Sequence, residues 1–169
     1  MRLLIVPMAA MAETSGTFSR CRLLAESAVW AGINVATCIA EDVNYSEISG
    51  IKNYFLEVPA PLGLPEIIAS KVFPVAHKLG IISRKTVRSF DEVLWFTGNS
   101  VYSYLVKSVA SIRKAIRSFK PDNVYSEFSM PAMIAAKLEN KKLFATVSYP
   151  TQSEYANAPE LAKGVNRYL

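Results

Sequence analysis

The sequence predicts an α/β fold, namely a Rossmann-like, doubly wound and mainly parallel sheet flanked by helices. Short apolar runs typical of buried strands occur at Arg2–Pro7, Val35–Ile39 and Leu143–Val147. Segments with apolar residues at helical spacing separate such runs along the chain. Strands that alternate with helices form parallel sheets, and continuous apolar runs indicate strands that are buried on both faces. With no internal repeat and no low-complexity linker, residues 1–169 are expected to form a single domain.

The first part of the chain predicts one strand–helix–strand unit. After the strand Arg2–Pro7, the segment Thr17–Ala31 places its apolar residues on one side and the pair Arg22 and Glu26 on the other. Gly32 follows this segment and is well placed to end the helix. The second strand then begins near Val35, which completes the repeating unit of parallel α/β folds.

The second half of the chain predicts a similar unit behind a long helix. Val101–Phe119 is the clearest helix, and Pro121 ends it because the residue before a proline avoids the helical conformation. The other predicted elements are a strand at Tyr54–Val58, a helix at Glu66–Ile82 bent near Pro74, a strand at Asn123–Ser126, a helix at Pro131–Leu138, the strand Leu143–Val147 and the first turns of a helix at Glu160–Leu169.

The composition is that of an ordinary globular protein, with 51% hydrophobic and 20% charged residues. No apolar run reaches the roughly 18–20 residues that cross a bilayer. The start of the chain resembles a signal peptide, but Pro7 interrupts its apolar run and favours a buried strand. Cys21 and Cys38 have no zinc or redox spacing, which predicts buried free thiols and, weakly, a cytoplasmic location.

The net charge of +5 comes from basic residues spread over several segments rather than one stripe. Solvated helix faces explain this distribution, and attraction to an anionic membrane surface or a phosphorylated acceptor is the alternative. Peripheral membrane contact is therefore left open. Basic and aromatic residues do not interleave, so no nucleic-acid partner is expected.

Two loops are the candidate ligand sites, because ligands of open parallel sheets bind where strands end. They are Met8–Phe18 and Glu127–Met130, each of which follows a predicted strand. The first loop contains one glycine, Gly16, and therefore lacks the dinucleotide-binding fingerprint, and the chain has no P-loop. The sequence accordingly predicts no nucleotide cofactor. The single histidine, His77, has no neighbouring cysteine or carboxylate, so no metal site is predicted either.

The order of several motifs resembles the N-terminal, acceptor-side half of two-domain GT-B glycosyltransferases of the UDP-glycosyltransferase kind. Ser15–Cys21 and Ala31–Val35 are similar to the family's segment between its first two strands. Phe119–Glu127 is similar to its F-x-P-D-x-V-x-x-D element, and the alanine-rich helix and apolar strand that follow also match. The middle of the chain, about residues 45–100, matches no family motif.

The resemblance implies a site at the start of the first helix. Family members place a catalytic histidine there, which acts as general base on the acceptor hydroxyl, and an aspartate orients it. These positions fall at Thr17 and Glu127, and threonine cannot serve as a base. The resemblance therefore leaves two candidate bases, Glu127 first and Glu13 second. Each also has a simpler structural role: Glu13 as a solvated loop residue, and Glu127 as a carboxylate that caps the next helix. The predicted acceptor-binding residues are Ser15, Gly16, Thr17 and Phe18, with Trp95 and Phe96.

In the family the nucleotide-sugar donor binds mainly to a second, C-terminal domain, and the 169 residues contain no such domain. The chain is therefore expected to bind a small-molecule sugar acceptor and to be inactive alone. If it is half of a longer enzyme, a C-terminal domain would supply the donor site. If it is a natural split subunit, a partner subunit would do so. The alternative is a non-catalytic α/β binding or interaction module, which the missing histidine favours.

Overall fold

The computed structural model describes residues 1–8, 16–40, 47–56 and 102–146. These residues form five strands and three helices. In chain order they are β1 (Arg2–Pro7), α1 (Gly16–Trp30), β2 (Asn34–Ala40), β3 (Lys52–Leu56), α2 (Tyr102–Phe119), β4 (Asn123–Glu127), α3 (Met130–Leu138) and β5 (Lys142–Thr146).

The five strands form one sheet in the order β3-β2-β1-β4-β5, and every neighbouring pair is parallel. Leu4 of β1, at the centre, lies opposite Ala36 of β2 and Val124 of β4. The predicted α/β fold with a parallel sheet is confirmed.

The helices cover both faces of the central part of the sheet. The edge strand β5 is exposed throughout, so the prediction that Leu143–Val147 is a buried strand was wrong about its burial. Alternate residues of a strand point to opposite faces, so Leu4 and Val6 pack with α2 and α3, whereas Ile5 packs with α1. Because the central strand is buried on both sides, its residues from Leu4 to Val6 are fully shielded from solvent. This double burial explains why β1 is apolar without interruption.

Each helix ends at a residue with positive φ. Gly32 (φ 76°) follows α1, and the amide of Ile33 donates to the carbonyl of Ala28, as in a Schellman motif. Asn140 (φ 51°) ends α3 in the same way, with the amide of Lys141 donating to Ala136. The first of these ends was predicted from the glycine in the sequence.

The α2 helix turns its apolar stripe toward the core. The spacing in the sequence predicts that this stripe consists of Val101, Leu105, Val109, Ile112, Ile116 and Phe119. Ile112, Ile116 and Phe119 are buried as expected, but Leu105 and Val109 are only partly buried. Small and polar side chains also face inward, namely Tyr104, Ser108, Ser111 and Ala115.

A charged cluster joins the outer surfaces of α2 and α3. Arg113 and Arg117 of α2 both donate to the carboxylate of Glu139, which follows α3, at 2.7 and 3.0 Å. Near the same end of α2, the guanidinium of Arg2 lies 4.6 Å from the ring centroid of Phe119. Part of the basic charge near α2 is thus paired within the protein.

Both cysteines lie in the part of the chain that the structure describes. Cys21 and Cys38 are free, buried thiols, as predicted, and burial raises the pKa of each to about 12. The predicted helices at Glu66–Ile82 and Glu160–Leu169 lie outside the described residues. None of the described helices is long and apolar enough to span a membrane.

Candidate functional site

The candidate site lies at the carboxyl edge of the sheet, where β1, β4 and β5 end level with one another. Pro7 of β1 lies opposite Glu127 of β4, which in turn lies opposite Thr146 of β5. The amide of Met8 donates to the carbonyl of Glu127 at 2.9 Å, and the amide of Phe128 donates to that of Thr146 at 3.0 Å. These bonds fix the backbone at the point where ligands of parallel sheets bind.

Glu127 is the centre of a group of four polar side chains, which we call the edge cluster: Arg20, Tyr125, Glu127 and Thr146. Arg20 donates from Nε and Nη2 to Oε1 of the carboxylate, at 2.8 and 2.6 Å. The Tyr125 hydroxyl donates to Oε2 at 2.5 Å, and the Thr146 hydroxyl donates to the same oxygen. Both carboxylate oxygens therefore accept hydrogen bonds from neighbouring side chains.

The geometry of the strands and of α1 explains why these residues meet. Tyr125 and Glu127 are two residues apart on β4, so they point to the same face of the sheet. The α1 helix covers that face, and Arg20 lies in its second turn. Thr146 faces the same way because it is level with Glu127 on the neighbouring strand.

The edge cluster contains a buried carboxylate and an arginine that is largely exposed to solvent. The side chain of Glu127 is only 6% exposed, whereas that of Arg20 is 59% exposed. The carboxylate is therefore held in the protein while one side of the guanidinium faces water. This arrangement orients Arg20 at the mouth of the carboxyl edge.

The hydrogen bonds decide the ionisation of the cluster. Burial by itself would raise the pKa of Glu127, but the bonds from Thr146, Tyr125 and Arg20 and the positive charge of Arg20 outweigh burial and lower the pKa below its ordinary value. The hydrogen bond to Glu127 raises the pKa of Arg20. Burial, and then the bond to Glu127, raise the pKa of Tyr125. At neutral pH the cluster thus contains an ionised carboxylate, a guanidinium and a neutral phenol.

This chemistry suits orientation better than proton abstraction. A general base needs a pKa near the working pH and a lone pair within reach of the proton it removes. The pKa of Glu127 is lowered, and both of its oxygens are already engaged. The cluster is able to hold a guanidinium in a fixed position for a ligand, because a positioned guanidinium presents several donors in one plane.

The structure places three of the predicted acceptor-binding residues. Gly16 begins α1 and Thr17 lies in its first turn, half-buried, close in sequence to Arg20. Phe18 is 8% exposed and packs in the core between α1 and the sheet. The other predicted site residues lie outside the described residues: Glu13, Ser15, Trp95 and Phe96, as does His77.

Sequence reasoning found Glu127 but missed its three partners. The spacing of Tyr125 and Glu127 on a predicted strand could have indicated that their side chains share a face. Arg20 and Thr146 gave no such signal, since they are 107 and 19 residues from Glu127 and meet it only in the folded chain.

Among the described residues, no group of three or more histidine, cysteine, aspartate or glutamate side chains is placed to bind a metal ion. A concavity of about 500 Å³ lies along the outer face of α2, beside Arg113 and Arg117. The lining residues that the structure describes belong to that helix, and they lie toward the opposite edge of the sheet from the edge cluster.

Comparison with solved structures finds several chains with a similar fold. The sequence matches no family model and no curated protein. Its structure is similar to that of UGT73P12 from Glycyrrhiza uralensis, crystallised with glycyrrhetinic acid 3-O-monoglucuronide, with 15% identity and a TM-score of 0.48. The match covers 86% of this chain, which spans 27% of the length of that protein.

Proposed function

We propose that this chain is the acceptor-binding half of a two-domain glycosyltransferase that uses a nucleotide-sugar donor. A second domain or a partner subunit would supply the donor site, and the chain alone would be inactive. One observation supports this proposal above the others: Glu127, which stands at the family's aspartate position, lies at the carboxyl edge and contacts the first turns of α1, where the family places its catalytic base.

In this proposal Glu127 is a positioning residue. The family's aspartate orients a histidine, and Glu127 orients the guanidinium of Arg20. Thr17, at the histidine position, contributes at most a hydrogen bond to the acceptor, together with Ser15 and Gly16. Trp95 and Phe96 would line the apolar part of the acceptor pocket. The proton of the acceptor hydroxyl then passes to Glu13. This is the other candidate base, and the sequence predicts it in the loop after β1.

The two carboxylates can be separated in the complete enzyme, that is, the chain with its donor domain or partner. If Glu13 is the base, Glu13→Gln should lower turnover by about 10²-fold or more and remove one ionisation from the pH–rate profile. Glu127→Gln should lower turnover without removing that ionisation. Glu26→Gln, which changes an exposed carboxylate on α1, is the control and should leave turnover unchanged.

The opposite pattern would contradict the assigned roles. If Glu127→Gln removes the ionisation and Glu13→Gln keeps it, Glu127 is the base, as the sequence first predicted. If neither variant affects sugar transfer, the carboxyl edge is not the acceptor site.

The need for a second domain can be tested on the chain alone. Calorimetric titration with UDP-glucose and dTDP-glucose should show no tight binding, because the donor site lies elsewhere. Micromolar affinity for either nucleotide-sugar would contradict the two-domain proposal. If the chain with its donor domain transfers sugar to none of a panel of phenol, sterol and sugar acceptors, a non-catalytic binding module becomes the better interpretation.

A further inference from the structure

A second polar feature lies at the same edge of the sheet, on the face covered by α2 and α3. It is a small enclosed cavity with room for solvent of about 10 Å³. Met8, Leu56 and Pro131 supply part of its apolar wall. Its polar lining consists of three hydroxyl-bearing side chains, Tyr104, Ser108 and Ser129. The cavity therefore has an apolar wall on one part of its surface and hydroxyl groups, which both donate and accept hydrogen bonds, on another.

Ser108 is the most informative of these residues. Its side chain is fully buried, and its Oγ has no hydrogen-bond partner in the part of the chain that the structure describes. Tyr104 lies one turn before Ser108 on α2 and lines the same cavity. Burial raises the pKa of Tyr104 and the Ser108 hydroxyl lowers it, but the two groups do not reach hydrogen-bond geometry. A buried hydroxyl without a partner is unfavourable, and native proteins usually supply one.

Ser129 is placed to be a second partner. It precedes α3 at the N-cap position, yet its side chain makes no capping hydrogen bond. The Ser126 hydroxyl bonds to the backbone of Ser129 instead, accepting from its amide at 3.1 Å and donating to its carbonyl at 2.9 Å. The Ser129 side chain is thus not used to cap the helix that it precedes.

We propose that this cavity is a binding site for one ordered water molecule, held by Ser108 together with Tyr104 and Ser129. A water molecule needs a cavity of about 10–15 Å³ and two to four polar partners, and the cavity meets both conditions. The described residues that line it offer hydroxyl groups, which suit a neutral ligand such as water. The water links α2 to the start of α3, and this inference is independent of the proposed sugar transfer.

The sign of one substitution tests the proposal. If Ser108 binds water, Ser108→Ala removes a hydrogen bond and should lower the Tm of the chain by about 2–4 °C, the shift expected for the loss of one such bond. If the cavity is dry, the same substitution removes an unpaired polar group and should leave the Tm unchanged or raise it. The variant introduces no bulk and no charge, so the chain should still fold.

Two further measurements make the result decisive. Ser126→Ala is the positive control, since both hydrogen bonds of Ser126 are visible and its loss must lower the Tm in either case. A high-resolution crystal structure of the unmodified chain should show an oxygen-sized density peak within hydrogen-bonding distance of the Ser108 Oγ. An unchanged or higher Tm in Ser108→Ala, or a cavity without density, would overturn the proposal.

Discussion

Replacing Glu127 should measurably weaken the isolated chain, because its carboxylate joins three elements of the fold. The pair with Arg20 contributes at most about 1 kcal/mol, since the Arg20 side chain is 59% exposed and water screens it. In Glu127→Gln, the amide also weakens the bonds from Tyr125 and Thr146 from charge-assisted to neutral, at a cost of about 1–2 kcal/mol together. We therefore expect the free energy of unfolding to fall by about 1–3 kcal/mol at neutral pH.

The pH dependence of this loss provides a sharper test than its size. Because the pKa of Glu127 is lowered in the folded chain from its ordinary value of 4.5, its stabilisation is present in full above that value and is lost as the pH falls through the folded-state pKa. Urea denaturation of both proteins should show the full difference at neutral pH and a shrinking difference once the pH falls below about 4.5.

A matched control separates the edge cluster from general charge effects. Glu26→Gln also removes a carboxylate that pairs with an arginine on α1, but both partners are about half exposed. Its effect should stay within about 0.5 kcal/mol. The reasoning fails if Glu127→Gln is as mild as this control, or if its effect is the same in acid as at neutral pH.

Two further predictions concern α2. Ile116→Ala should lower the free energy of unfolding by about 2–5 kcal/mol because Ile116 is buried in the core. Val106→Ala, at an exposed position, should change it by no more than about 0.5 kcal/mol. Urea denaturation of both variants tests this, and equal effects would contradict the burial of Ile116. Lys120 has φ 52°, so Lys120→Gly should raise stability by about 0.5–1 kcal/mol, while Lys107→Gly within the helix should lower it by about 1 kcal/mol. Thermal melts test this second pair, and a destabilising Lys120→Gly would show that the backbone there is unstrained.

Most of the strands could be predicted because the signal is local. The runs around Leu4 and Ala36 are short and largely apolar, and a helical segment joins them. The run around Val124 lies between two helical segments. Parallel pairing follows from such alternation, since a helical crossover returns the chain to the same end of the sheet. The end of α1 could be predicted just as well, because a glycine favours the positive φ that ends the helix at Gly32.

The side-chain partners could not be predicted because they depend on how the helices sit on the sheet. The inner face of α2 is wider than its apolar stripe, since Ser108 is fully buried while Val109 still packs against the core, and the sequence pattern of the helix does not show this. The packing of α2 against α3, whose inner face is made of Ala132, Ala135 and Ala136, leaves room for the small residues of α2 to face inward. The buried Ser108 follows from that fit, which no single segment determines.

The identity of the residue that faces Glu127 decides what kind of chemistry the carboxyl edge supports. A histidine beside a carboxylate gains or loses its proton near neutral pH and is therefore able to act as a base. Arg20 stays protonated at every physiological pH, and the bond to Glu127 raises its pKa further. An Arg–Glu pair is thus constant in charge where a His–Asp pair is not. If sugar transfer occurs at this edge, its pH dependence must come from a group outside the edge cluster, and the predicted loop carboxylate Glu13 is the first such group to test.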